Sequence, residues 1–326
     1  QGIRPAADGK SYTTLRGNAI ERNSYTKDAP GELLFEWKND KENRDIADYQ
    51  FSPDGKLLLL SIGSEPIYRH SYTTDYYLKD ADGLRPILTD LSDTRDASFS
   101  PDGRTIAFSS GNNLYLYDIV GDSVRPITTD GAWNRIINGT TDWVYEEECA
   151  FTKAYAFSPD GQKIAYLRFD ESLVPVFEMM RYDGKLYNEA YSFKYPKAGD
   201  ANSVVTLHVF DLETGRTTKV DTGADTTQYI PRIGWTPRGE LWYETRDRRQ
   251  QQIVFRRLAR RRRRSSRRST ASVRPAMWPT KPTVRSAGST ADAASSLCRR
   301  RRRAGCTSTS ASPANRCGRS PKGAGR

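Results

Sequence analysis

The chain lacks the raw material for a disulfide scaffold, a metal centre or a membrane-spanning helix. Of its four cysteines, Cys298, Cys306 and Cys317 lie close to the C-terminal end and only Cys149 lies elsewhere, so no disulfide framework is implied. Its two histidines, His70 and His208, have no neighbouring partners at metal-ligand spacing, so no metal is expected. A spanning helix would need a run of about 18 apolar residues, and none occurs. The chain opens Gln1-Gly2-Ile3-Arg4 without a Met or the apolar stretch of a signal peptide, and its first residue reads as an arbitrary cut.

A further lack divides the chain. None of the 18 tyrosines lies beyond residue 247, and Asp292 is the one acidic residue there, against 23 Lys and Arg. The tail therefore carries +22, while residues 1–247, with 28 basic and 39 acidic residues, carry −11; the overall +11 hides both. Residues 1–247 are rich in Tyr, Val, Ile, Leu and Phe and can bury a core. Residues 248–326 read as Arg, Ser, Ala, Thr, Gly and Pro, with too little apolar surface to offset the entropy of ordering them, and are expected to be disordered.

What the first part has is repetition. Phe-Ser-Pro-Asp-Gly occurs at 51–55, 99–103 and 157–161, and a degraded copy, Trp-Thr-Pro-Arg-Gly, at 235–239. Pro presets φ for a turn, Asp accepts a local backbone hydrogen bond and Gly supplies the positive φ of the exit, so each copy predicts a tight reversal between strands. β-rich runs follow each turn, as in KLLLLSIG at 56–63, then a second strand such as NLYLYDIVG at 113–121, then a short third such as RPITTD at 125–130. Apolar residues alternate or run on over four to eight positions, with no helical spacing. Several short antiparallel strands per unit predict an all-β fold, a partial β-propeller of about four blades with an incomplete one at the start, GKSYTTLRGNAIERNSYTKDAPGELLFEW.

Spacing between the Pro turns grows from 48 to 58 to 78 residues, so segments are inserted into the later units. One insertion, roughly 134–152, holds Asp-Trp-Val-Tyr-Glu-Glu-Glu at 142–148. An acidic triplet can simply keep a loop solvated. Loops mounted on a rigid scaffold are also where binding groups sit.

The stretch NGTTDWVYEEECAFTKAYAFSPDGQKIAYLRFDESLVPVFEMMRYDGKLYNEAYSFKYPKAGD resembles the propeller domain of the dipeptidyl peptidase IV family, in its bacterial form. The similarity runs through most of residues 2–245, including IYRHSYTTDYYL at 67–78 and QYIPRIGWTP at 228–237. It implies an eight-bladed propeller capping an α/β-hydrolase domain, in an enzyme that releases Xaa-Pro and Xaa-Ala dipeptides from peptide N-termini. It implies that Glu147 and Glu148 bind the substrate's α-amino group and that Arg69 helps hold a substrate carbonyl. It implies no cofactor and no metal, a periplasmic or secreted location and possible homodimers of the parent. The chemistry agrees: two adjacent carboxylates repel, and an incoming ammonium relieves that repulsion through charge-assisted hydrogen bonds. Trp143 and Tyr145 are expected to anchor the segment by packing, and His208 to be structural.

Hydrolysis in that family needs a serine in a Gly-x-Ser-x-Gly elbow with an Asp and a His. No such elbow occurs here and both histidines lie in the propeller part, so no catalytic residue is expected and the chain alone should be inactive. The tail is expected to be a frame-shifted translation: read one base out of frame, Gly305–Ser310 permits Leu-His-Leu-Tyr-Leu, like the strand at 114–116. The competing reading is a noncatalytic interaction module whose Arg-rich tail grips nucleic acid nonspecifically through phosphate contacts. With Phe255 and Trp278 its only Phe and Trp, base stacking would add little.

Overall fold

Each Ser-Pro-Asp-Gly turn closes through the same side-chain bonds. In the computed structural model, which describes residues 2–258 except 7, 28, 39–41 and 183, Ser52 Oγ donates to Asp54 Oδ1 at 2.6 Å and accepts from the Leu57 amide at 2.9 Å. Ser100 with Asp102 and Ser158 with Asp160 repeat the pattern at 2.6 and 2.5 Å. Gly55, Gly103 and Gly161 leave the turns at φ +73, +70 and +68°. These bonds hold the exposed Asp54 carboxyl below its ordinary pKa, the Ser52 hydroxyl first. In the degraded copy Thr236 takes the serine's place, its Oγ1 accepting from the Glu240 amide at 3.1 Å, and Gly239 keeps φ +76°.

The turns join strands into sheets ordered as meanders. The first sheet is β1 (Arg4–Pro5), β2 (Ser11–Arg16), β3 (Ala19–Ser24) and β4 (Glu32–Glu36). The second is β5 (Ile46–Phe51), β6 (Leu58–Pro66), β7 (Tyr72–Lys79) and β8 (Leu84–Ile87). The third is β9 (Arg95–Phe99), β10 (Thr105–Ser110), β11 (Asn113–Asp118) and β12 (Ser123–Pro126). All pair antiparallel, as expected of propeller blades. The opening stretch forms a four-stranded sheet, its first strand only two residues long, where a partial unit was expected.

The fourth blade has its inner strand cut in two. β13 (Ile136–Asn138) and β14 (Tyr155–Phe157) both pair with β15 (Lys163–Asp170), at opposite ends, and β18 (Val204–Asp211) and β19 (Thr217–Lys219) complete the sheet. A hairpin, β16 (Val176–Arg181) with β17 (Glu189–Lys194), is inserted between β15 and β18 as a separate two-stranded sheet. The last sheet described is β20 (Tyr229–Trp235), β21 (Leu241–Arg246) and β22 (Ile253–Leu258).

Here the structure departs from the boundary expected at 247. β22 lies beyond it and pairs with β21 along its length, from Ile253 opposite Arg246 to Leu258 opposite Leu241. Its arginines fold back on the body: Arg256 Nη1 donates to Thr245 Oγ1 at 2.6 Å, and Arg257 faces Glu240 at 3.4 Å. Phe255 thus belongs to a strand. The tail from residue 259, and with it the expectations of disorder and a shifted frame, lies outside the described residues.

Blades stack by burying both faces of their middle strands. In β6, Leu58, Leu60 and Ile62 join a core with Leu15 and Ile20 of the first sheet, while Leu59 joins one with Ile106 and Phe108 of the third. In β10, Ala107 turns the other way to meet Ile164 and Tyr166 of the fourth sheet. Leu167 and Phe169 of β15 then pack with Ile230, Leu241 and Tyr243 of the fifth. A strand's side chains alternate, so a strand between two neighbours must be apolar on both faces; that is why the sequence runs Leu-Leu-Leu-Leu at 57–60.

Candidate functional site: an acidic helix against an arginine loop

The split inner strand creates the site. At Gly139 the chain leaves the sheet with φ +74°, where an added Cβ would come within 2.8 Å of Leu114 Cδ1, so glycine is required. The Gly139 amide donates to Leu167 O at 3.0 Å, the Leu167 amide to Ala154 O at 2.9 Å and the Ala154 amide to Gly139 O at 3.0 Å, so exit and re-entry are fixed. The excursion between them forms α1 (Trp143–Cys149), a seven-residue helix where a loop was expected. Asp142 caps it, Oδ1 accepting from the Tyr145 amide at 2.9 Å and Oδ2 from Ser203 Oγ at 2.5 Å. Burial pushes the Asp142 carboxyl up, against those two bonds. At the other end Ala150 adopts a left-handed conformation and Arg232 Nη2 donates to the Cys149 carbonyl at 2.7 Å.

The aromatics anchor this helix. Tyr145 is buried edge-on to Phe169, ring centroids 4.9 Å apart, and its hydroxyl accepts from the Ile230 amide at 2.7 Å. Trp143 packs on Tyr195 at 4.3 Å. Both do what the sequence predicted. Asn138-Gly139-Thr140 has the form of a glycosylation triplet, but the Asn138 side chain is fully buried and donates to Asp130 Oδ1 at 2.9 Å.

Opposite the helix lies the turn from β6 to β7, residues 67–71. It brings Arg69 to Glu147: Arg69 Nε lies 3.1 Å from Oε1 and 3.0 Å from Oε2. The Arg69 side chain is 72% exposed and that of Glu147 17%, so the pair lies at the surface with its arginine side open. Among the described residues Arg69 makes no other ion pair or hydrogen bond, which leaves its terminal guanidinium nitrogens open. Glu148 is exposed and forms no ion pair among the described residues. The structure thus joins Arg69 and Glu147 and sets Glu148 beside them on the same short helix.

Several site residues were not legible beforehand. Glu146 is fully buried, its Oε1 accepting from the His70 amide at 2.6 Å and the Ser71 amide at 2.9 Å. Tyr68 packs on Phe193 of β17 at 5.8 Å, and burial, then the charge of Glu171, pushes its phenol up. Glu171 is buried, and burial followed by repulsion from Asp142 raises its carboxyl to about 8, against Lys194 and Arg95. The Asp142-to-Tyr145 capping spacing was a readable signal; the buried contacts join positions about 75 residues apart and left none. Among the described residues no cluster of three potential metal ligands occurs. His208, stacked on Tyr166 at 5.3 Å, is pushed down to about 4 by burial and then by the Arg168 charge.

Comparisons with known proteins agree with this architecture. The crystal structure of Porphyromonas gingivalis dipeptidyl peptidase 4 is similar with a TM-score of 0.73 and 37% identity, covering 79% of this chain and 38% of that one. A probable dipeptidyl-aminopeptidase B of Talaromyces marneffei is 36% identical over 209 residues, 58% of this chain and 23% of that protein. The mouse protein named prolyl endopeptidase FAP is 37% identical over 174 residues, 50% of this chain and 22% of its own length. The chain therefore spans roughly a quarter of these curated relatives. The sequence model for the dipeptidyl peptidase IV N-terminal region matches residues 52–292, reaching past Arg246, where the resemblance had been expected to end. With blades, split inner strand and acidic helix all in place, that match makes the chain a member of the dipeptidyl peptidase IV N-terminal region family.

Proposed function

We propose that this chain is the substrate-recognition propeller part of a dipeptidyl peptidase IV-like serine exopeptidase, which releases Xaa-Pro and Xaa-Ala dipeptides from peptide N-termini. The observation that carries the reading is the Arg69–Glu147 pair beside the exposed Glu148. In this reading the substrate's α-ammonium binds between Glu147 and Glu148, gaining charge-assisted hydrogen bonds and relieving the repulsion between them. The open terminal nitrogens of Arg69 take the first carbonyl, so the two charges measure off the peptide's end. An acetylated or internal residue brings no cation, and the unrelieved carboxylates reject it.

Hydrolysis is assigned to an α/β-hydrolase part of the parent enzyme, outside these 326 residues. A periplasmic or secreted setting goes with the same reading, as does a homodimeric parent; the hairpin β16–β17 offers exposed Phe177, Met179, Met180 and Tyr182 as a surface for association.

The test is binding of alanyl-prolyl-glycine and its N-acetylated form to the full chain by calorimetry. The free-amine peptide should bind and the acetylated one should not, with Glu147→Gln and Glu148→Gln each weakening binding about tenfold or more, the scale of one lost charged hydrogen bond. Equal binding of both peptides, or a Glu147→Gln variant that binds as before, refutes the reading.

A further inference from the structure

The three consecutive glutamates occupy three different environments. Glu148 is exposed, Glu147 meets Arg69, and Glu146 is fully buried. Successive residues on a helix are turned by about 100° from one another, so three glutamates in a row point in three directions. A buried carboxylate is expensive to keep without a cation. Among the described residues Glu146 has no ion pair; both its hydrogen bonds fall on Oε1, from the amides of His70 and Ser71, and Oε2 is buried without a partner.

What Glu146 does hold is the backbone that follows Arg69. The turn at 67–71 has one cross-turn backbone bond, from the Ile67 amide to Ser71 O at 2.8 Å. Nothing within the turn fixes His70, whose side chain is exposed. The next two amides after Arg69 are therefore tied to the helix that carries Glu147, so the two partners of the surface ion pair are referenced to one rigid element. An exposed Arg–Glu pair alone contributes little and would not place its guanidinium.

We propose that Glu146 is the positioning residue of this site: its carboxylate pins the His70 and Ser71 amides to α1 and thereby sets Arg69 against Glu147 for substrate. It touches no substrate itself, and the inference rests on the reading of Arg69, Glu147 and Glu148 as the recognition site.

Two conservative variants of the full chain separate placement from charge. Glu146→Gln keeps an acceptor oxygen at the same reach and loses the charge; Glu146→Asp keeps the charge and withdraws the oxygen by one methylene. Hydrogen exchange at the His70 and Ser71 amides should speed up about tenfold or more in Glu146→Asp, the scale of a lost bond to a charged acceptor, and stay protected in Glu146→Gln. Affinity for alanyl-prolyl-glycine should fall with the same pattern, and the Asp variant's loss should vanish in an Arg69→Ala background, because both act through one group. If Gln loses binding while Asp retains it, Glu146 acts through charge and the proposal is overturned; an undiminished loss in the Arg69→Ala background overturns it too. Should the unaltered chain fail to prefer the free-amine peptide, the recognition reading falls, while the exchange rates still decide whether Glu146 holds the turn.

Discussion

Glu171 shows how far burial can move a single group in this protein. Its carboxyl is raised to about 8, by burial first and then by Asp142, so it holds its proton at neutral pH. An unfolded chain would release that proton near the ordinary value of 4.5, so between about 4.5 and 8 the folded state binds more protons than the unfolded. The contribution to stability is complete below that window and is lost as pH rises through it. Glu171→Gln has no proton to lose, and its melting temperature should gain on the unaltered protein as pH climbs from 5 to 9, with most of the gain before the upper end. A difference independent of pH would mean Glu171 is ionised in the fold. Gly139 is a second residue with one solution: Gly139→Ala must hold φ +74° against Leu114 and should lose about 2 kcal/mol or more, read as a lowered denaturation midpoint. Arg69, Glu147 and Glu148 stand out as candidates in the sequence because they lie in contiguous motifs. Glu171 and Glu146 could not, since their roles depend on which distant backbone buries them.

Among the elements, the turns were the most legible because their chemistry is local. Pro, Asp and Gly announced each reversal; the serine that ties Asp to the following strand added a bond the pattern had not demanded. Ser100→Ala should remove both the bond to Asp102 and the one from the Thr105 amide, at a cost of about 1–2 kcal/mol, measurable as a shift in urea midpoint without a change in slope. Helix α1 was harder to see. Seven residues are too few for a helical period to show, and the strand it interrupts reads as two short β fragments on either side. What makes it a helix is its ends, Asp142 capping one and Arg232 the other, together with the tertiary burial of Tyr145. Its position is coupled to the hairpin: Tyr195, which follows β17, packs on Trp143, and Phe193 of β17 packs on Tyr68 beside Arg69.

At the scale of the molecule, stability comes from cores shared between successive blades, and among the described residues the last sheet shares its core with the fourth. The all-β class and the blades followed from the period of two in the strands, but the number of strands in the last sheet did not. Its β22 exposes Ile253 at 51% and Phe255 at 45%, and in the sheet order it stands at the edge among the described residues. Unpaired edges with apolar side chains invite pairing with another chain. The chain is therefore expected to associate at micromolar concentration, giving sedimentation coefficients that rise with loading. Replacing both Ile253→Lys and Phe255→Lys should suppress this, because charges on an edge strand repel a second copy. If the unaltered chain instead sediments as a monomer with a sharp melt, the edge is covered by other parts of the chain; if the double variant associates unchanged, the contact lies elsewhere, with the exposed Phe177, Met179 and Met180 of the hairpin the next surface to alter.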